Sequence, residues 1–90
     1  MEQASKTFKI VNKLGLHARA SALFVKMASK FKSDIFVSKG KKKINGKSIM
    51  GLLMLAGSPG SRITIEAIGI DAREALSQLG ELVSKGFHED

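Results

Sequence analysis

The chain has 90 residues, no cysteine and a formal net charge of +7, which describes one small domain and excludes a disulfide framework, a thiolate metal site and a deep, sequestered substrate cleft. The charge is uneven: residues 1–47 carry 12 Lys/Arg against 2 Asp/Glu, and residues 48–90 carry 3 against 6. A basic half of this kind fits an acidic partner surface, a phosphate or a nucleic acid, or simply a solvated lysine-rich face.

MEQASKTFKIV (1–11) contains no apolar run of the signal-peptide kind, and nowhere do about twenty apolar residues follow one another. A soluble, cytoplasmic protein without membrane insertion is expected. SKTFKIV (5–11) alternates Phe8 and Ile10 against Thr7 and Lys9, the period of a strand. From Ala18 the period becomes helical, with Ala20, Leu23, Phe24, Met27, Ala28 and Phe31 as one apolar stripe. DIFVSK (34–39) and KKIN (42–45), joined through Gly40, read as a hairpin with a cationic tip. Ser48 stands ahead of IMGLLMLA as the N-cap of a short helix, and GSPGS (57–61) is a turn. RITIEAI (62–68) turns Ile63, Ile65 and Ala67 to one side, a strand again. In the last helix Asp71 and Glu74 have the spacing of an acidic capping box, Ala72, Ala75, Leu76, Leu79 and Val83 form the buried stripe, and Gly86 supplies the stop. The order β-α-β-β-α-β-α, with no repeat or linker, predicts a single domain over 1–90. Its class is α+β: an open-faced sandwich, a four-stranded mainly antiparallel sheet covered on one face by three helices.

The stretch GLHARASA (15–22) puts a histidine where the first helix begins. If the helix starts at Ala18, His17 is its N-cap, and the unpaired N–H groups of the first turn point towards whatever the ring carries. The positive helix end favours an anion and disfavours a second positive charge on the imidazole, so the neutral, nucleophilic ring, able to attack phosphorus, is expected. A phosphoryl group attached there would be held by the backbone of Ala18 and Arg19 and by the Arg19 guanidinium. Dipole stabilisation of about 0.3–1 kcal/mol supports such a group without making it too stable to pass on. Spacing alone leaves open a polar residue that merely starts a helix. It likewise leaves open a plain N-cap at Ser48 and a simple core role for IMGLLMLA. If Leu52, Leu55 and Ala56 face the sheet, Ile49, Met50 and Leu53 form an outward apolar patch suited to docking. Arg19, Lys26, Lys30 and Lys47 lie near that face and would steer acidic partners.

GLHARASA resembles the active-site motif of the HPr family, the histidine-containing phosphocarriers of the bacterial phosphoenolpyruvate-dependent sugar phosphotransferase system. NGKSIMGLLMLA (45–56) resembles that family's second motif, around its regulatory serine. The resemblance covers essentially the whole chain. It implies that His17 accepts a phosphoryl group at Nδ1 from phosphorylated enzyme I and passes it to the A component of sugar permeases, with Arg19 steadying the charge. It implies that Ser48 is phosphorylated by an ATP-dependent HPr kinase/phosphorylase, and that Ile49, Met50 and Leu53 with Lys26, Lys30 and Lys47 form the shared docking site. A transcriptional regulator is a further implied partner. The protein would be a monomeric carrier rather than an independent catalyst, with no cofactor, since Mg²⁺ and phosphoenolpyruvate are used by the upstream enzyme. Two features depart from the family pattern: Ala20 stands where proline is common, and the hairpin SKGKKKINGK is unusually basic. A nitrogen-related or regulatory relay is the rival within the family. A basic nucleic-acid-binding domain is the rival outside it, and it would call for aromatic side chains on the open sheet face, where none is expected. His88 has no ligand-spaced companion and no assigned role, and no metal site is expected.

Overall fold

The structure is a computed structural model that describes residues 2–89. In chain order the elements are β1 (Gln3–Lys9), α1 (Ala18–Ala28), β2 (Asp34–Lys39), β3 (Lys42–Asn45), α2 (Ile49–Leu55), β4 (Arg62–Ile68) and α3 (Ala72–Ser84), followed by a 3-10 turn, Gly86–His88. The strands form one sheet in the order β1-β4-β2-β3, with every pair antiparallel. The predicted α+β open-faced sandwich is therefore the observed fold. Among the described residues no helix is long and apolar enough to cross a membrane.

Strand periodicity settles which sheet face is covered. Ile63, Ile65 and Ala67 of β4 and Ile35 and Val37 of β2 alternate inward and are buried against Ala20, Phe24 and Ala28 of α1, Leu52 and Leu55 of α2, and Ala72, Ala75, Leu79 and Val83 of α3. The opposite face carries short polar ladders such as Thr7 opposite Thr64, whose hydroxyls are 2.8 Å apart. Phe36 also lies on this open face, half-buried, with the Lys43 ammonium 4.9 Å from its ring centroid. That corrects the expectation of an open face without aromatics. Lys43 is at the same time paired with Glu66 at 3.0 Å, so the local charge is balanced.

Four details differ from the sequence reading. β1 ends at Lys9, and Ile10 instead binds the loop ahead of β4, donating its N–H to the Ser61 carbonyl at 2.9 Å and accepting from Gly60 at 2.8 Å. In α1 the buried stripe contains Ser21 and omits Leu23, which is 37% exposed. The hydroxyl of Ser21 donates to the Leu16 carbonyl at 3.2 Å, which satisfies a polar group inside the core. Ala56, expected to face the sheet, is exposed and closes α2 in the left-handed conformation. Finally, the Asp71–Glu74 capping box does not form. The Asp71 carboxylate reaches across to the loop before β2 and accepts from the backbone N–H groups of Lys32 at 2.8 Å and Ser33 at 2.9 Å, and from the Ser33 hydroxyl. Those donors, the Ser33 hydroxyl foremost, hold its carboxyl well below the usual range, at about 2. Glu74 accepts from Gln78 instead.

Candidate functional site

The loop from β1 to α1 is tied at both ends before it presents His17. Asn12, itself buried, donates its side-chain amide to the Gly15 carbonyl at 2.8 Å, and Gly15 returns its N–H to the Asn12 carbonyl at 3.2 Å. Gly15 takes φ +63°, a conformation open to glycine at little cost, and its Cα faces the Gly57 carbonyl so closely that a Cβ would lie 2.2 Å from that oxygen. Leu16 then donates its N–H to the same carbonyl at 2.8 Å and buries its side chain. The next residue arrives with its backbone fixed.

That residue is His17, the N-cap of α1, at φ −75° and ψ 178°. Its carbonyl accepts from Ser21 at 2.9 Å to close the first turn, while its ring makes no capping bond. No acidic residue lies in the first turn, so the positive end of α1 is not neutralised by its own sequence. Arg19, exposed one residue beyond Ala18, lines with His17 an open cleft of about 770 Å³, to which Lys13, Leu14 and Leu23 also contribute. The structure thus puts His17 and Arg19 on one cleft, with Ala18 between them as the first residue of α1. A nucleophilic ring, a helix start and a guanidinium around one cleft can accept and hold an oxyanion such as a phosphoryl group.

Glu89 was not anticipated. Its carboxylate faces the His17 Nε2 with one oxygen and accepts from the Asn12 side-chain amide at 3.0 Å with the other. The Asn12 bond, then the His17 bond, then the nearby charges of His17 and Arg19 keep the Glu89 carboxyl below its ordinary range. The carboxylate is therefore ionised at neutral pH. Glu89 follows His17 by 72 positions, and nothing local in the tail GFHED signals the encounter. It arises because the 3-10 turn buries Phe87 and folds the chain back over the β1–α1 loop.

Ser48 is the N-cap of α2, with its hydroxyl oxygen accepting from the Gly51 N–H at 3.0 Å. Helical geometry then divides α2. Leu52 and Leu55 go inward, while Ile49, Met50 and Leu53 are exposed at 43%, 67% and 40%, as expected of a patch. The structure adds Met54 at 68% and Leu14 at 69% to the exposed apolar side chains. A shallow groove joining Leu14, Leu16 and His17 to Ala56–Ser58 connects the histidine with the end of α2. Of the lysines near this surface, Lys26 and Lys30 are exposed. Lys47 is half-buried and donates its ammonium to the Phe31 carbonyl at 2.9 Å, which binds α2's leading loop to the loop that follows α1.

Residues 4–85 match the family model PTS-HPr, described as "PTS HPr component phosphorylation site". The chain is 49% identical over 84 residues to the phosphocarrier protein HPr of Neisseria meningitidis serogroup A, covering 93% of this chain and 94% of the relative. It superposes on the crystal structure of HPr from Thermoanaerobacter tengcongensis with a TM-score of 0.93 at 47% identity, covering 97% of this chain and 98% of that one. A second structure from that organism, an HPr dimer, matches with a TM-score of 0.78 at 49% identity over 91% of this chain and 94% of that one. With the family model spanning most of the sequence and the fold superposing nearly end to end, the chain belongs to the HPr family, the phosphocarriers of the phosphotransferase system.

Proposed function

We propose that the chain carries a phosphoryl group on Nδ1 of His17, taken from phosphorylated enzyme I and handed to the A component of sugar permeases. It acts in the cytoplasm as a monomer and holds no cofactor of its own. The observation that supports this reading is the placement of His17 at the start of α1, open to a cleft that it shares with Arg19. The backbone N–H groups of Ala18 and Arg19 and the Arg19 guanidinium take the phosphoryl oxygens, while a partner supplies the rest of the reacting site. Ile49, Met50 and Leu53, with Lys26, Lys30 and Lys47 around them, serve as the surface on which several partners dock in turn. The adaptable methionines suit that exchange. Phosphorylation of Ser48 by HPr kinase/phosphorylase puts close to two negative charges beside this patch and weakens contact with an acidic partner without refolding the helix. A transcriptional regulator is a further partner of this carrier.

One incubation tests the carrier reading. With enzyme I, Mg²⁺ and radiolabelled phosphoenolpyruvate, the wild type takes up label that acid releases and alkali does not, the behaviour of a P–N bond, and His17→Ala takes up none. Label retained by His17→Ala overturns the assignment. Incubation with ATP and HPr kinase is expected to give an acid-stable ester on the wild type and none on Ser48→Ala. If the wild type stays unlabelled there, the regulatory half of the reading falls and the carrier half stands.

A further inference from the structure

The geometry points to Glu89 as a positioning residue for phosphoryl transfer: its carboxylate holds the proton of His17 on Nε2 and so leaves the lone pair on Nδ1. The inference rests on His17 being the acceptor. A carboxylate has no hydrogen to give, so in the contact between Glu89 and Nε2 the ring nitrogen is the donor. A neutral imidazole with its hydrogen on Nε2 has its only nucleophilic lone pair on Nδ1. An imidazole free in water exchanges between two tautomers, whereas this one is held in a single tautomer and a single ring orientation.

Three observations show that the contact is built into the fold. The Glu89 carboxylate is engaged at both oxygens, and its second partner, Asn12, is only 5% exposed and is anchored to Gly15, two residues before His17. The His17 and Glu89 side chains retain 24% and 17% exposure, so the pair is partly sheltered from water. The tail reaches this position through consecutive non-glycine residues at positive φ, Phe87 at +57° and His88 at +60°, a conformation that L-residues rarely adopt and that persists here with Phe87 buried in the core. Glu89 then donates its own N–H to the Gly86 carbonyl at 3.1 Å, closing the turn that aims its side chain at His17.

The chemistry needs no proton to move. The Nδ1 lone pair forms the new bond to phosphorus as the donor's bond to phosphorus breaks, and that bonding pair stays with the donor. The Nε2 proton remains in place, the ring takes on positive charge, and Glu89 neutralises it across the existing hydrogen bond. On delivery the Nδ1–P pair returns to the ring, which is ready for the next cycle in the same tautomer. Arg19 works on the phosphoryl oxygens and Glu89 on the far side of the ring. The division of labour resembles that of a carboxylate behind a catalytic histidine in hydrolases.

The test compares wild type with Glu89→Gln and Glu89→Ala. Long-range ¹H–¹⁵N spectra at about pH 8, above the ordinary imidazole range, are expected to show one tautomer with the hydrogen on Nε2 in the wild type and mixed or exchanging ring nitrogens in both variants. Initial rates of labelling from phosphorylated enzyme I are expected to fall about tenfold, far less than the roughly 10⁴-fold seen for a buried triad carboxylate, because this pair is partly open to water. Thermal unfolding is expected to change little, which separates positioning from folding. A wild-type ring of mixed tautomers, or a Glu89→Ala protein with the wild-type spectrum and rate, overturns the inference. The spectra need no phosphoryl donor. If the wild type takes up no label, the carrier reading fails, and the ring spectra still decide whether Glu89 governs the tautomer.

Discussion

Gly15→Ala is expected to cost about 3–5 kcal/mol, a large share of the stability of a domain this size. Two effects add. A non-glycine residue in the left-handed region costs about 1–2 kcal/mol, and Gly15 sits at φ +63°. The new Cβ would also lie 2.2 Å from the Gly57 carbonyl oxygen, a backbone atom with no flexible end to give way. The loop must then move off Gly57, and the bond from the Leu16 N–H to that carbonyl at 2.8 Å is lost with it. Gly40→Ala is the control. Gly40 has a similar φ of +60°, but nothing stands within 4 Å of a Cβ there, so only the conformational cost of about 1–2 kcal/mol applies. Urea unfolding monitored by circular dichroism measures both. The two substitutions giving equal losses would remove the steric half of the argument. Because the displaced loop carries His17, Gly15→Ala is expected also to slow phosphoryl acceptance, which Gly40→Ala leaves unchanged.

Phe24→Ala is expected to destabilise the fold by about 3–5 kcal/mol, the usual range for removing a fully buried aromatic ring. Phe24 has no exposed surface and lies in the cluster where α1 meets the sheet and the other two helices. The loss is part transfer free energy and part cavity, since the backbone elements around it are held by their own hydrogen bonds and cannot close the space. For a domain of 90 residues this lowers the melting temperature by more than about 12 °C. Leu23→Ala, one residue away, removes a side chain that is already 37% exposed and is expected to cost less than about 1.5 kcal/mol. Scanning calorimetry distinguishes the two. A Leu23→Ala loss as large as that of Phe24→Ala would mean that Leu23 packs inside.

The same pair of residues shows how far periodicity reads. Helical spacing places Leu23 and Phe24 together on one apolar stripe, because at 100° per residue neighbours differ by less than the width of a buried face. Only the packing of α1 against α2 and α3 decides that Phe24 enters the core, that Leu23 faces the cleft, and that Ser21 is carried inside with its hydroxyl satisfied. The capping box at Asp71 shows another limit. Asp71 and Glu74 have the right spacing, yet a carboxylate goes to whichever donors are best placed, and the loop at Lys32 and Ser33 offers three.

What the chain determines locally is therefore the element order, the histidine at the head of α1, the serine cap of α2, and the strand alternation that makes one sheet face apolar. Each depends on neighbours within a few residues, where backbone preference and side-chain period act directly. The folded molecule decides what depends on distant parts meeting. It sets the contact between the tail and the ring, from Glu89 to His17 across 72 positions, the backbone approach of Gly15 to Gly57, and the engagement of Lys47 with the loop that follows α1. Such contacts follow from the closed geometry of the whole core, and no local pattern carries them.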